Sequence, residues 1–142
     1  MKNQFMFFFL FLFIFCIQAQ SYKGKGDNKI NLGYVPYGLG NGIKASYDYG
    51  LSNTFSIGFG GTYFLSNNDE DYFIYIRTSY HFGDLLDLPR QLDIYPGVEL
   101  GYLSTENIGI AGYIGVRYFF TKKFGVFTEI GNNGTIGLTL NL

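Results

Sequence analysis

From residue 29 to the end of the chain, polar and apolar residues alternate in short runs, each closed by a cluster of Gly, Asn, Asp or Ser. A period of two sends successive side chains to opposite faces of an extended backbone. Each run therefore predicts a two-faced β-strand, and each cluster predicts a turn. The runs predict eight strands, at residues 29–37, 43–50, 54–65, 72–82, 91–103, 108–119, 124–130 and 135–142. The links at 38–42, 52–53, 66–71, 104–107, 122–123 and 132–134 are short enough for hairpins, with a longer turn at 83–90. Consecutive hairpins make an up-and-down antiparallel meander.

The two faces differ in chemistry. The fourth strand puts Tyr72, Ile74, Ile76, Thr78, Tyr80 and Phe82 on one side and Phe73, Tyr75, Arg77, Ser79 and His81 on the other. Across the other strands the charges fall on the second side as well, at Lys44, Asp48, Asp93, Glu99, Arg117 and Glu129. A face turned to water carries about a quarter to a third charged residues. This one is mainly Gly, Ser, Thr and aromatics, which suits a narrow lumen. Glycines there leave room for Tyr75, Tyr95, Tyr113 and Phe127, and opposite charges can pair.

The fold expected is all-β, an eight-stranded antiparallel up-and-down transmembrane β-barrel with its apolar face outward. The alternative is a soluble, lipocalin-like ligand-binding barrel with that face inward. Tyr72 at one end of its strand and Tyr80 and Phe82 at the other flank Ile74 and Ile76, the order of an aromatic girdle around an aliphatic middle. Closure requires strand eight to pair with strand one, since an open edge in hydrocarbon leaves peptide groups unpaired. Pro96 lacks an N–H within a central strand, which predicts a bulge.

At 142 residues the chain has room for one domain. Lys2, an apolar stretch at residues 5–17 and the small Ala19 read as a signal peptide over residues 1–19. The stretch is shorter than the roughly 20 residues a membrane-spanning helix needs. Cys16, the only cysteine, lies inside it and follows Phe15, where lipidation requires a small residue. Residues 20–28 are then expected to form an N-terminal segment, periplasmic if the barrel is of the outer-membrane kind, and 29–142 the barrel, with no disulfide to hold it. A formal net charge of −1 and 15% charged residues give no electrostatic support for nucleic-acid binding.

Lys44, Asp48, Arg77, Asp93, Glu99, Arg117 and Glu129 are expected to form a structural ion network plugging the lumen. Sign alternates over Glu99, Arg117 and Glu129 on successive strands, and Arg77 is placed to join them. An eight-stranded interior is wide enough only for its own side chains, so a plug is expected over a narrow channel or small-molecule conduit. His81 is the sole histidine, and the spacing suggests no Ser-His-Asp arrangement, so no catalytic residue, cofactor or metal is expected. Asp69, Glu70 and Asp71 could take a divalent cation bridging to lipopolysaccharide, but they are expected to be a solvated loop. Residues 38–42 are glycine-rich but lack the Lys-Ser/Thr and helix of a phosphate loop.

Two segments carry a family resemblance. They are the run Leu92-Asp93-Ile94-Tyr95-Pro96-Gly97-Val98-Glu99-Leu100-Gly101-Tyr102, and the closing Phe127-Thr128-Glu129-Ile130-Gly131 with Gly137-Leu138-Thr139-Leu140-Asn141-Leu142. On these the chain resembles the opacity-like and OmpX-like outer-membrane β-barrels. The resemblance implies a bacterial outer membrane of Gram-negative type, both termini in the periplasm, and partners among outer-membrane lipid and lipopolysaccharide. It also implies that the outer-membrane assembly machinery reads the terminal strand, although this strand ends in Leu142 rather than an aromatic residue. The role expected is noncatalytic, in envelope integrity or surface and partner contact.

Overall fold

A computed structural model describes residues 19–65, 70–105 and 108–142. The proposed signal sequence, apart from Ala19, lies outside the described residues. So do parts of the 66–71 and 104–107 links.

Eight strands form where the alternation predicts them: β1 (Asn28–Val35), β2 (Gly42–Gly50), β3 (Phe55–Phe64), β4 (Tyr72–Tyr80), β5 (Leu92–Leu103), β6 (Gly109–Phe119), β7 (Phe124–Gly131) and β8 (Thr135–Asn141). Each is antiparallel to the next, and β8 pairs with β1 from Lys29↔Asn141 to Tyr34↔Ile136, which closes the barrel. The start of β1 and the end of β8 lie at one end, called here the terminal end. The β1–β2, β3–β4, β5–β6 and β7–β8 links lie at the far end.

The phase of every strand puts the apolar face outside. Phe59, Ile74 and Leu138 are 62%, 61% and 63% exposed, whereas Arg77, Arg117 and Glu129 are 2%, 1% and 1% exposed. The alternative with an apolar interior is therefore not the one adopted. The interior is layered along its axis. Phe64, Phe73, Tyr75, Leu103 and Ala111 pack together toward the far end, charged side chains fill the middle, and polar groups close the terminal end.

Pro96 is accommodated without the predicted bulge. The β5–β6 register runs unbroken through Pro96↔Ile114, and the β4–β5 ladder stops beside it at Ser79↔Gly97. The Phe82 N–H reaches the Ile94 carbonyl at 2.9 Å, in the same register, so no residue is inserted. The missing N–H is met by ending the ladder on the β4 side, which is also why β4 stops at Tyr80 rather than at residue 82.

Two glycines show how bulky rings fit so narrow a cylinder. A Cβ at Gly97 would overlap the Tyr113 ring, and one at Gly115 would overlap the Tyr95 ring. Gly61 has only ordinary contact space, its nearest atom being the Phe73 carbonyl oxygen at 3.5 Å. Gly115→Val is thus expected to lower stability by about 1–3 kcal/mol through overpacking, and Gly61→Ala to change little. Urea unfolding in detergent micelles measures both, and equal effects would contradict this account of the packing.

Candidate functional site

The lumen charges meet across the barrel. Lys44 on β2 reaches Glu99 on β5 at 2.5 Å and Glu129 on β7 at 3.0 Å. Arg77 on β4 lies 2.5 Å from Glu129, 3.5 Å from Glu99 and, through Nε, 3.3 Å from Asp48. Arg117 on β6 lies 3.4 Å from Asp48 and donates to Asn31 at 3.2 Å. Three cations and three carboxylates thus form one connected, charge-balanced cluster. Taking ions out of water costs several kcal/mol each, and only such mutual pairing with further hydrogen bonds offsets it.

Aromatic rings supply part of that compensation. The Arg77 guanidinium sits 4.5 Å from the Tyr113 ring centre, and Arg117 sits 4.5 Å from Tyr95. Tyr95 donates to Glu129 at 3.2 Å, and Tyr113 shares a hydrogen bond with Ser79 at 2.7 Å. The structure brings together six of the seven expected network residues and corrects the pairing in two places. Arg117 engages neither of its strand neighbours Glu99 and Glu129 but turns toward β1 and β2. Asp93 leaves the cluster for His81.

At the terminal end Ser56, His81 and Asp93 form a hydrogen-bonded chain, contrary to the expectation from spacing. The Asp93 carboxylate lies 2.6 Å from His81 Nδ1, and Ser56 Oγ lies 2.8 Å from Nε2. A carboxylate can only accept, so Nδ1 carries the proton and Nε2 accepts from the serine hydroxyl. Burial pushes the imidazole below its ordinary range, with Asp93 opposing, so the neutral form is favoured. Those are the bond distances of a nucleophile with its base.

Access is missing. Ser56 is 3% exposed, and the adjoining cavity of about 90 Å³ touches His81, Asp93 and Tyr22 but not Ser56. Tyr22 lies flat on the imidazole, with ring centres 3.6 Å apart and planes 7° apart. Its hydroxyl is shared between the Ser52 and Phe55 carbonyls at 2.7 and 2.8 Å, and burial, with Asp27 and Asp93 nearby, raises its pKa and keeps it a donor. The segment around it runs across the barrel end as a strap. Ser21 N–H donates to Arg90 O at 2.7 Å, Asn141 Nδ2 to Gln20 O at 3.2 Å, and Gly26 N–H to Gly50 O at 2.8 Å. Lys29 pairs with Asp27 at its end. With the strap in place Tyr22 covers the His81 ring, and Ser56 lies buried at the Nε2 edge of that ring.

At the far end Glu70 ties two loops together. Its carboxylate accepts from the Ser104 hydroxyl at 2.9 Å, from the Thr105 N–H at 3.0 Å and from the Thr105 hydroxyl. Desolvation works to raise its pKa, and these hydrogen bonds outweigh it and hold the group below the ordinary range. Both carboxylate oxygens are thus spoken for by loop donors, so Glu70 is a loop clasp rather than the solvated residue expected. Asp69 lies outside the described residues.

A model of the family of unknown function DUF6646 matches residues 11–136. No curated protein sequence matches the chain. Among solved structures, a de novo designed transmembrane β-barrel is similar with a TM-score of 0.69 and 15% identity, over 85% of this chain and 99% of the design. The N-terminal β-barrel domain of Pseudomonas aeruginosa OprF is similar with a TM-score of 0.63 and 15% identity, over 84% of this chain and 100% of that domain. At such identities the likeness carries the fold alone.

Glu129→Gln strands Lys44 and Arg77 in excess and is expected to cost about 3–5 kcal/mol, part of which returns when Lys44→Met is added. Urea titrations of the single and double variants measure this, and a single-variant loss within about 0.5 kcal/mol would contradict a working network. An alkyl fluorophosphonate, which marks reactive serines, is expected to leave the folded protein unlabelled. Labelling that disappears in Ser56→Ala would establish a working nucleophile.

Proposed function

The chain belongs to the DUF6646 family of unknown function, and we propose that it is a noncatalytic outer-membrane β-barrel that serves envelope integrity or surface and partner contact through a closed, side-chain-filled cylinder. The observation that carries this reading is the inverted polarity of the wall. A band of Leu, Ile, Val and Phe covers the outside, while arginines and glutamates are sealed within. In water such a surface would be a severe association hazard, and in hydrocarbon it is the favourable one.

The belt is bounded as a bilayer would require. Tyr34, Tyr63, Tyr72 and Tyr102 lie toward the far end, with Tyr63 directly opposite Tyr72 across β3 and β4. At the terminal end Phe55 meets Tyr80 edge to face at 4.9 Å, Tyr80 meets Phe82 at 5.0 Å, and Tyr118 meets Phe120 at 5.3 Å. Aromatic rings of this kind settle at headgroup level. Closure through β8 and β1 leaves no strand edge along the belt between those two strands. Resemblance to the opacity-like and OmpX-like barrels supports a signal peptide cleaved near Ala19, termini in the periplasm and insertion by the outer-membrane assembly machinery. It also supports lipid and lipopolysaccharide as the immediate surroundings.

The charge cluster, with the rings stacked on it, favours a plug over a conduit. Purified protein in planar bilayers is expected to give no conductance steps, and reproducible steps would favour the channel reading. Ile76→Arg on the belt is expected to cost about 2–4 kcal/mol for protein folded into vesicles. In a water-soluble barrel the same exposed substitution would be close to neutral, and that result would overturn the membrane reading.

A further inference from the structure

The barrel wall has a notch at its far end. On one side β6 is paired with β5 as far as Gly101↔Gly109, but on the other its ladder with β7 ends at Tyr113↔Gly131. Asn132 adds a final link to Gly112, donating from its backbone N–H at 3.1 Å and accepting through its side chain at 2.7 Å. Beyond it, Gly109, Ile110 and Ala111 have no ladder partner on the β7 side among the described residues.

A cavity of about 390 Å³ occupies this place. Its inner wall is Phe73, Leu103 and Ala111 from the apolar layer of the lumen, and its lip is Ile108 and Ile110. These two isoleucines, 70% and 75% exposed, exceed every other exposed large apolar side chain among the described residues. The sill is fixed, because Asn133 accepts from the Leu39 N–H at 3.0 Å and Gly134 N–H donates to Tyr37 O at 3.0 Å. Among the described residues none that lines the cavity is charged, and the side-chain oxygens of Asn132 and Asn133 already accept from backbone amides.

We infer that this notch seats an acyl chain of an outer-leaflet lipid, which enters laterally between the upper part of β6 and the β7–β8 turn and packs against Phe73 and Leu103. The inference rests on the membrane reading above. Ile110 stands opposite Leu100, inside the girdle marked by Tyr102, so the opening is continuous with the lipid-facing belt. What surrounds it at that level is hydrocarbon. With no cation among the described rim residues, the site selects for the alkyl chain and not for a phosphate headgroup. The apolar inner wall, set beneath the loops and above the ion layer, gives that chain an environment water does not favour.

The chain contains no tryptophan, so a single introduced indole reports its own surroundings. Phe73→Trp and Leu103→Trp would probe the notch, Ile57→Trp the belt on another strand, and Phe127→Trp the lumen away from the notch. The full mature protein would be reconstituted in phosphatidylcholine vesicles whose acyl chains carry bromine, a short-range quencher. Notch indoles are expected to be quenched as strongly as Ile57→Trp and several-fold more than Phe127→Trp, with little quenching by aqueous acrylamide. A notch filled by water or by a loop would leave Phe73→Trp and Leu103→Trp unquenched by bromine while Ile57→Trp is quenched, which overturns the lipid site and leaves the membrane barrel standing. Loss of quenching at Ile57→Trp as well would overturn the membrane reading itself. Having two notch variants keeps the test valid if one fails to fold.

Discussion

Eight strands close into a cylinder so narrow that side chains from opposite walls touch, and a charge on the inner wall must find its counter-charge across the axis. The rest of the interior depends on this constraint. Lys44, Arg77 and Arg117 face Asp48, Glu99 and Glu129 in equal number, and each arginine is also laid against a tyrosine ring. Glycines appear where those rings press on the wall, as at Gly97 and Gly115. The network is costly to assemble and costlier to break, and it ties β2, β4, β5, β6 and β7 to one another across the axis.

The two ends solve different problems. At the terminal end a strap is stacked and hydrogen-bonded over a Ser-His-Asp chain, with Tyr22 lying flat on the imidazole. Function has to be argued from access as well as from distances, and Ser56 is 3% exposed beneath the strap. At the far end unequal strand lengths leave β6 standing above β7, and there the wall opens on the apolar layer instead of the charged one.

Period-two alternation was enough to place all eight strands, because nearly every charged residue of the strands falls on one phase, among Gly, Ser, Thr and aromatics, while aliphatic side chains dominate the other. Phase, however, reports only which face a residue is on. It is silent about height along a tilted wall, and for that reason Arg117 could be read as meeting Glu99 and Glu129 when it meets Asp48 and Asn31. The chain from Ser56 through His81 to Asp93 was hidden for the same reason. Its members lie on three successive segments, and only the register, with Ser56 opposite Ser79 and the next inward residue being His81, brings them level. The strap has no alternation to read, so Tyr22 left no mark in the pattern, and Lys29, though on the inward phase of β1, gave no sign of its pairing with Asp27. Pro96 suggested a bulge because a missing N–H looks alike whether a residue is inserted or the neighbouring ladder ends.

The account stands on the claim that the apolar exterior faces lipid. Its most direct test is to fractionate cells producing the full chain, extract the protein in mild detergent, and compare gel migration with and without boiling alongside circular dichroism. A lipid-facing barrel is predicted to be in the outer-membrane fraction, to be rich in β-structure and to migrate differently once boiled. A water-soluble protein whose migration is unchanged by heat would contradict the account, because the apolar exterior would then stand in water.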